Sequence, residues 1–253
     1  MKITSLTLYP VKSLAPVSTN EAYFDQTGPM GDREWMLVDE NGKFVSQREI
    51  PQLCRVQPIW NKTLEALQFQ GDVLPVPAMT EEALATVWNE TVPALYSKGE
   101  ERAWFQKWAG HPLRLVKMKN PRIPSHGIAV RFPDSMPVLL CNEKSLETLN
   151  HQLPEPVGME RFRPNLVVQG TLAFEEDQWE QIQVGEVILQ KEKLCSRCSI
   201  ITVDPKTGAR GQEPLKTLAS SRKIDGKIKF GVYCSIKKMG RIRVGDSLQT
   251  KFL

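Results

Sequence analysis

Glu34-Trp35-Met36-Leu37-Val38-Asp39-Glu40-Asn41-Gly42-Lys43-Phe44-Val45 sets two apolar runs on either side of an Asn-Gly pair. Asn-Gly tolerates the positive φ angles of a tight hairpin, so the stretch predicts two extended segments joined by a turn. Working outward, residues 3–8 alternate between two faces, and residues 53–59 are rich in β-branched and large apolar side chains. The first third of the chain therefore reads as antiparallel sheet. Residues 100–110 depart from that pattern: Ala103, Trp104, Phe105 and Trp108 share one face at helical spacing, and Gly110 followed by Pro112 supplies the stop.

Past Asn120 the texture changes. Pro121, Pro124, Gly127, Pro133 and Pro137 exclude a regular helix, and residues 119–134 read as a linker or a site-facing loop. A strand over 138–141 then leads into a helix capped by Asn142 or Ser145 and carrying Leu146, Leu149 and Leu153. Further strands are predicted at 166–168, 186–190, 199–203, 229–234 and 241–244, with a short helix over 213–221 that accepts Pro214 in its first turn. The fold class expected is mainly β with peripheral helices (α+β).

Composition narrows the function classes. A chain of 253 residues can bury a core without staples, and five cysteines with no signal peptide ahead of Met1-Lys2 point to a reducing cytoplasm. No apolar run approaches the ~20 residues of a membrane-spanning helix, so no membrane partner is expected. The net charge of +4, from 33 basic and 29 acidic residues, is a mild excess. Basic residues bunch at Lys117, Lys119, Arg122 and Arg131 and at Arg222, Lys223, Lys227 and Lys229, but without interleaved aromatics that would stack bases. A solvated face, or a dock for an acidic protein or a phosphate, fits better than nucleic acid.

Cys195-Ser196-Arg197-Cys198 carries the chemistry. A thiolate is the nucleophilic and metal-binding form of cysteine, and the neighbouring Arg197 favours it at Cys198. Structural zinc lacks its second ligand pair, because His111, His126 and His151 are scattered and Cys54, Cys141 and Cys234 stand alone. A thioredoxin-like pair is disfavoured because Cys198 runs into the β-branched residues Ile200 to Val203. On this tetrapeptide alone, two buried small side chains are the better reading. Asp204-Pro205-Lys206-Thr207-Gly208 reads as a turn rather than as the seat of a general base.

Taken together, the separated motifs resemble the MOSC family, in the branch of the mitochondrial amidoxime-reducing component and related bacterial proteins. The resemblance rests on Tyr9-Pro10-Val11-Lys12-Ser13, Gly31-Asp32-Arg33, Phe162-Arg163-Pro164-Asn165, Cys195-Ser196-Arg197-Cys198 with Thr202-Val203-Asp204-Pro205, Glu213-Pro214-Leu215-Lys216-Thr217-Leu218, Phe230-Gly231-Val232-Tyr233 and Val244-Gly245-Asp246. It implies a MOSC-type β-barrel over residues 119–253 and an N-terminal β-rich domain over 1–118, whose first strand belongs physically to the barrel.

The resemblance also implies a molybdenum cofactor, Mo-molybdopterin, with Cys198 as metal ligand and catalytic residue. Lys12, Ser13 and Arg33 fall where the family holds the pterin phosphate. Arg163 and Asn165 would face the pterin, and Asp134 and Ser135 would join from the loop before the second strand set. The implied reaction is reduction of small N-hydroxylated compounds: hydroxylaminopurines, amidoximes and hydroxylamines. The alternative is a carrier or sensor of the cofactor or of sulfane sulfur. A chain ending at Leu253 without Cys-x4-Cys-x2-Cys implies no iron–sulfur cluster and either a separate ferredoxin- or flavoprotein-type donor or a shortened chain, and the lack of a presequence or anchor ahead of Met1 argues for a bacterial cytoplasmic member.

Overall fold

A computed structural model describes residues 1–252. Its main sheet runs in the order Leu248–Phe252, Trp179–Val184, Val187–Ser196, Lys227–Lys238, Val138–Asn142, Leu166–Gln169, Lys2–Leu8, Val17–Thr19. Neighbours are antiparallel except Val138–Asn142 and Leu166–Gln169. That parallel pair needs a crossover, and the helix Glu143–Asn150 lies within it. Asn142 caps this helix, its side chain accepting from the Lys144 N–H at 3.0 Å.

The expected barrel is not there: among the described residues no sheet closes on itself, and the fold is a mixed α/β arrangement dominated by strands with few, short helices. The sheet ends do approach, through an isolated bridge of Lys2 to Ser247 and an Ile3 N–H bond to the Asp246 carbonyl at 2.9 Å. A ladder cannot extend from there. Lys2–Leu8 is irregular between Ile3 and Ser5, and from Leu6 to Leu8 its remaining edge is taken by Val17–Thr19.

The remaining strands gather mostly in the first half. Trp35–Val38, Arg114–Met118, Glu90–Ser97 and Met79–Val87 form a four-stranded sheet, and Gln57–Trp60, Leu64–Phe69 and Asp72–Pro75 form a three-stranded one. Gly240–Arg243 pairs with Glu21–Asp25, tying the end of the chain to its beginning. The helix Glu101–Ala109 ends at Gly110, whose φ of 71° is the left-handed stop that glycine permits. Its Phe105 is buried, and Trp108 stacks on Phe69 at 4.1 Å between centroids. Trp60 packs against both this core and that of the main sheet.

Three sequence expectations change form. The hairpin turns where predicted, with Gly42 at φ 73° and the Val45 N–H on the Leu37 carbonyl at 3.0 Å, but Trp35–Val38 takes its ladder from Arg114–Met118 instead. Residues 53–59 divide into the 3₁₀ turn Pro51–Arg55 and the strand Gln57–Trp60. The β-branched run after Cys198 is a 3₁₀ helix, Ser199–Thr202, in which the Thr202 hydroxyl donates to the Ser199 carbonyl at 2.8 Å. A local hydroxyl-to-backbone bond overrides propensity there. No helix among the described residues is long and apolar enough to cross a membrane.

Candidate functional site

Ser13, Arg33 and Arg163 are ordinary L-residues with φ angles of 69°, 46° and 55°. Non-glycine residues in this region are uncommon and strained, and such positions collect where function demands them. All three line a single cavity, together with Lys12, Arg48, Trp88, Asp134, Asn165, Arg197 and Tyr233. The first half of the chain supplies Lys12, Ser13, Arg33, Arg48 and Trp88; the second supplies the rest.

Local hydrogen bonds fix each cation. Arg33 donates to Asp32 Oδ2 at 2.6 Å, to Asn165 Oδ1 at 3.1 Å and to the Arg163 carbonyl at 3.3 Å. Burial works against its charge, but Asp32 outweighs burial and holds the guanidinium above its ordinary range. Lys12 donates to the Phe132 carbonyl at 2.7 Å and pairs with Asp134. Burial pulls its ammonium below the ordinary lysine range, with Asp134 opposing. Arg163 has no carboxylate partner among the described residues; it lies on the Tyr9 ring at 4.2 Å, and burial pushes its guanidinium down to about 10.

Asn165 holds the site without being free to act in it. Its Oδ1 also accepts from the Leu139 N–H at 3.2 Å, and its Nδ2 donates to the Thr7 carbonyl at 3.2 Å. The side chain joins two strands and orients Arg33. Asp134 is engaged by Lys12 and by the Trp88 indole N–H at 3.2 Å, and Ser135 does not line the cavity. Residues 119–134 thus form a site-facing loop rather than a linker: Val130 and Phe132 are buried, and Arg122 pairs with Glu90.

Cys198 is the exposed cysteine; the other four are buried. It precedes the 3₁₀ turn Ser199–Thr202, between Arg197 and Ile200, both of which line the cavity. Arg197, its neighbour in sequence, makes no hydrogen bond to Cys198. Its guanidinium donates to the carbonyls of Phe230 and Phe162, each at 2.9 Å, and to Cys141 Sγ at 3.7 Å, pointing back into the core. Asp204 is a turn residue, its Oδ1 accepting from the N–H groups of Lys206 and Thr207 at 2.8 and 2.9 Å.

Sequence reasoning missed Arg48 and Trp88. Trp88 sits at φ 57° in the turn between Met79–Val87 and Glu90–Ser97, half-exposed, with the Arg48 guanidinium 4.3 Å from its ring centre. A tryptophan at a hairpin tip was the available signal.

The lining includes five cations, Lys12, Arg33, Arg48, Arg163 and Arg197, against the carboxylate of Asp134, and four of them remain once Arg197, whose guanidinium is turned to backbone carbonyls, is set aside. Such a donor set fits an anionic group of the phosphate type. The free space, about 80 Å³, admits a few water-sized groups, so it fits the charged end of a larger ligand rather than a whole ring system. No cluster of three or more His, Cys, Asp or Glu side chains able to hold a metal occurs among the described residues. A metal at Cys198 would need most of its ligands from elsewhere, as an organic metal-bearing cofactor supplies them.

The comparisons with known proteins agree with the motifs. Residues 1–112 match the MOSC N-terminal beta barrel domain and residues 127–249 the MOSC domain. The chain is 33% identical to mitochondrial amidoxime reducing component 2 of Bos taurus, across 96% of this chain and 81% of that protein. Against the Homo sapiens protein of the same name the identity is 32%, over 96% and 82%. A molybdenum cofactor sulfurase from Drosophila grimshawi is 32% identical over 92% of this chain but only 32% of its own length. The amidoxime-reducing relatives are named mitochondrial, which overturns the cytoplasmic residence expected from the sequence. With both domain matches in order and relatives above 30% identity over nearly its whole length, this chain belongs to the MOSC domain family and is related to the mitochondrial amidoxime-reducing components.

Proposed function

We propose that this protein is a molybdenum-cofactor-dependent reductase of N-hydroxylated compounds such as amidoximes, hydroxylamines and hydroxylaminopurines. The observation that carries the reading is the exposed Cys198 between two residues that line a cavity of five cations. Family membership supports oxidoreductase chemistry, and the amidoxime-reducing relatives support the substrate class.

When bound, the cofactor supplies the two-electron chemistry that reduces an N–O bond. Cys198 provides the protein's thiolate to the metal, the kind of donor a soft site selects. Lys12 and Arg33 hold the terminal phosphate, with the Ser13 hydroxyl as a further donor, and Arg163 brings a cation that has no carboxylate of its own. Asp32 and Asn165 orient Arg33. Asp134 keeps Lys12 in place until a stronger anion arrives. Trp88 and Arg48, stacked on each other, complete the lining. The catalytic region then comprises residues 119 onward together with the strand Lys2–Leu8, and a separate ferredoxin- or flavoprotein-type protein delivers the electrons.

The test is metal and pterin analysis of protein from a cofactor-proficient host, followed by turnover of benzamidoxime with dithionite. Stoichiometric molybdenum and amidine formation are the expected results. Cofactor-free protein, or loaded protein that leaves the N–O bond intact, would refute the proposal.

A further inference from the structure

A second cavity, of about 820 Å³, adjoins the strand Lys2–Leu8 and is separate from the cationic one. Its size falls within the range of small-molecule pockets. One wall is the face of that strand and its extension, carrying Ser5, Thr7 and Tyr9; the facing wall includes Leu146 and Glu147 of the helix Glu143–Asn150. The charge is the inverse of the first site. The lining holds Glu143, Glu147 and Glu160 with a single histidine, His151, and no lysine or arginine.

Two of these carboxylates are engaged: Glu143 accepts from the Thr4 hydroxyl at 2.6 Å and Glu147 from the Lys144 ammonium at 2.6 Å. Glu160 has no side-chain hydrogen bond or ion pair among the described residues. It lies against Gly158, where a Cβ would collide with the carboxylate, so glycine at 158 is what lets the acid sit there. The second observation is independent of the acids. Tyr9 is 1% exposed, borders this cavity and not the cationic one, and its hydroxyl has no partner among the described residues. A phenol so enclosed that makes no hydrogen bond within the chain is open to one from a ligand in the cavity it borders. Burial pushes its pKa up to about 12, so it stays a neutral phenol that can donate or accept.

We propose that this cavity binds a small organic cation with an apolar body, an amidinium or primary amine, with its charge on Glu160, a hydrogen bond to Tyr9 Oη, and its body against Leu146 and Met159. The proposal does not depend on the chemistry at Cys198. It does place the ligand next to that site, because Arg33 and Arg163 pack on the Tyr9 ring at 4.3 and 4.2 Å.

Calorimetric titration of the full-length protein with benzamidine tests it, with benzoate as the anionic control of like shape. Benzamidine should bind saturably at one site and benzoate should not. Glu160→Gln should weaken benzamidine by about tenfold, near 1.4 kcal/mol, without altering the melting temperature, because the carboxylate makes no internal bond to lose. Leu146→Trp, which fills the cavity, should abolish binding; if that variant unfolds, the Glu160→Gln and benzoate arms decide alone. Absence of saturable binding, equal binding of benzoate, or unchanged affinity in Glu160→Gln overturns the proposal.

Discussion

Lys12 and Asp134 hold each other inside the cationic cavity, so an incoming phosphate competes with a carboxylate the chain already carries. Asp134→Asn should tighten binding of inorganic phosphate severalfold, on the order of 1 kcal/mol, in a calorimetric titration; weaker binding would make Asp134 part of the anion's own support. The pair has a pH signature as well. Burial raises the Asp134 pKa but Lys12 overrides it, leaving a net depression in the folded state. The stabilisation is present above the usual carboxylate range and lost as pH falls through the folded value, so acid should cost the parent more stability than Asp134→Asn. Cys198 and Cys195 separate by exposure: Cys198→Ser should leave the melting temperature unchanged and lose molybdenum, since a hydroxyl is a harder and far less acidic ligand. Cys195→Ser puts a hydroxyl where the side chain is 1% exposed and should cost about 1–3 kcal/mol of stability while retaining the metal. Equal metal loss from both changes would point to a dithiol site.

At the scale of elements, Gly31 explains why Gly31-Asp32-Arg33 opens with glycine. Its φ is 86°, and a Cβ there would run into the Trp60 ring. Gly31→Ala should destabilise the fold by about 1–3 kcal/mol in denaturant melts and reduce anion binding by displacing Arg33; a neutral substitution would remove that link. Glu176 ties down the start of the helix Glu143–Asn150, accepting from the Ser145 hydroxyl at 2.7 Å and the Asn142 amide at 3.2 Å. Burial raises its pKa to about 7. Because the folded value lies above the unfolded one, the folded state holds the proton longer, and stability falls as pH rises from the ordinary carboxylate value to about 7. The loss is of order 3 kcal/mol, and Glu176→Gln should flatten the slope in that window in pH-dependent melts. Periodicity and capping made both longer helices legible. Tertiary context hid the rest: Ile200 and Ile201 looked like strand residues, yet the Thr202 hydroxyl closes a 3₁₀ turn around them.

The cavity draws on both halves of the molecule, so anion binding should report on both. Phosphate should raise a single melting transition recorded by tryptophan fluorescence and far-ultraviolet dichroism alike, by an amount that grows with the logarithm of ligand concentration. Two transitions, only one of them shifted, would confine the site to one half. Lys12, Ser13, Arg33, Arg163 and Asn165 were legible from motifs of fixed order and line one cavity; Cys198, legible the same way, is exposed beside it and is not part of its lining. Arg48 and Trp88 were not legible, because a tip residue of one sheet meets a loop of another only after the chain has folded. Nor could adjacency show that Arg197 would turn toward Phe162 and Phe230 rather than toward Cys198.

The pairing of Lys2–Leu8 with Leu166–Gln169 also sets a timetable on the ribosome. The strand that leads into Lys12 leaves the exit tunnel roughly 160 residues ahead of its partner, which at typical synthesis rates is an interval of about ten to thirty seconds. The contacts of Lys2 and Ile3 with Ser247 and Asp246 wait longer still, until those later residues have emerged. Throughout that interval the nascent chain carries an unpaired strand edge of the kind that recruits chaperones or mispairs between polysomes.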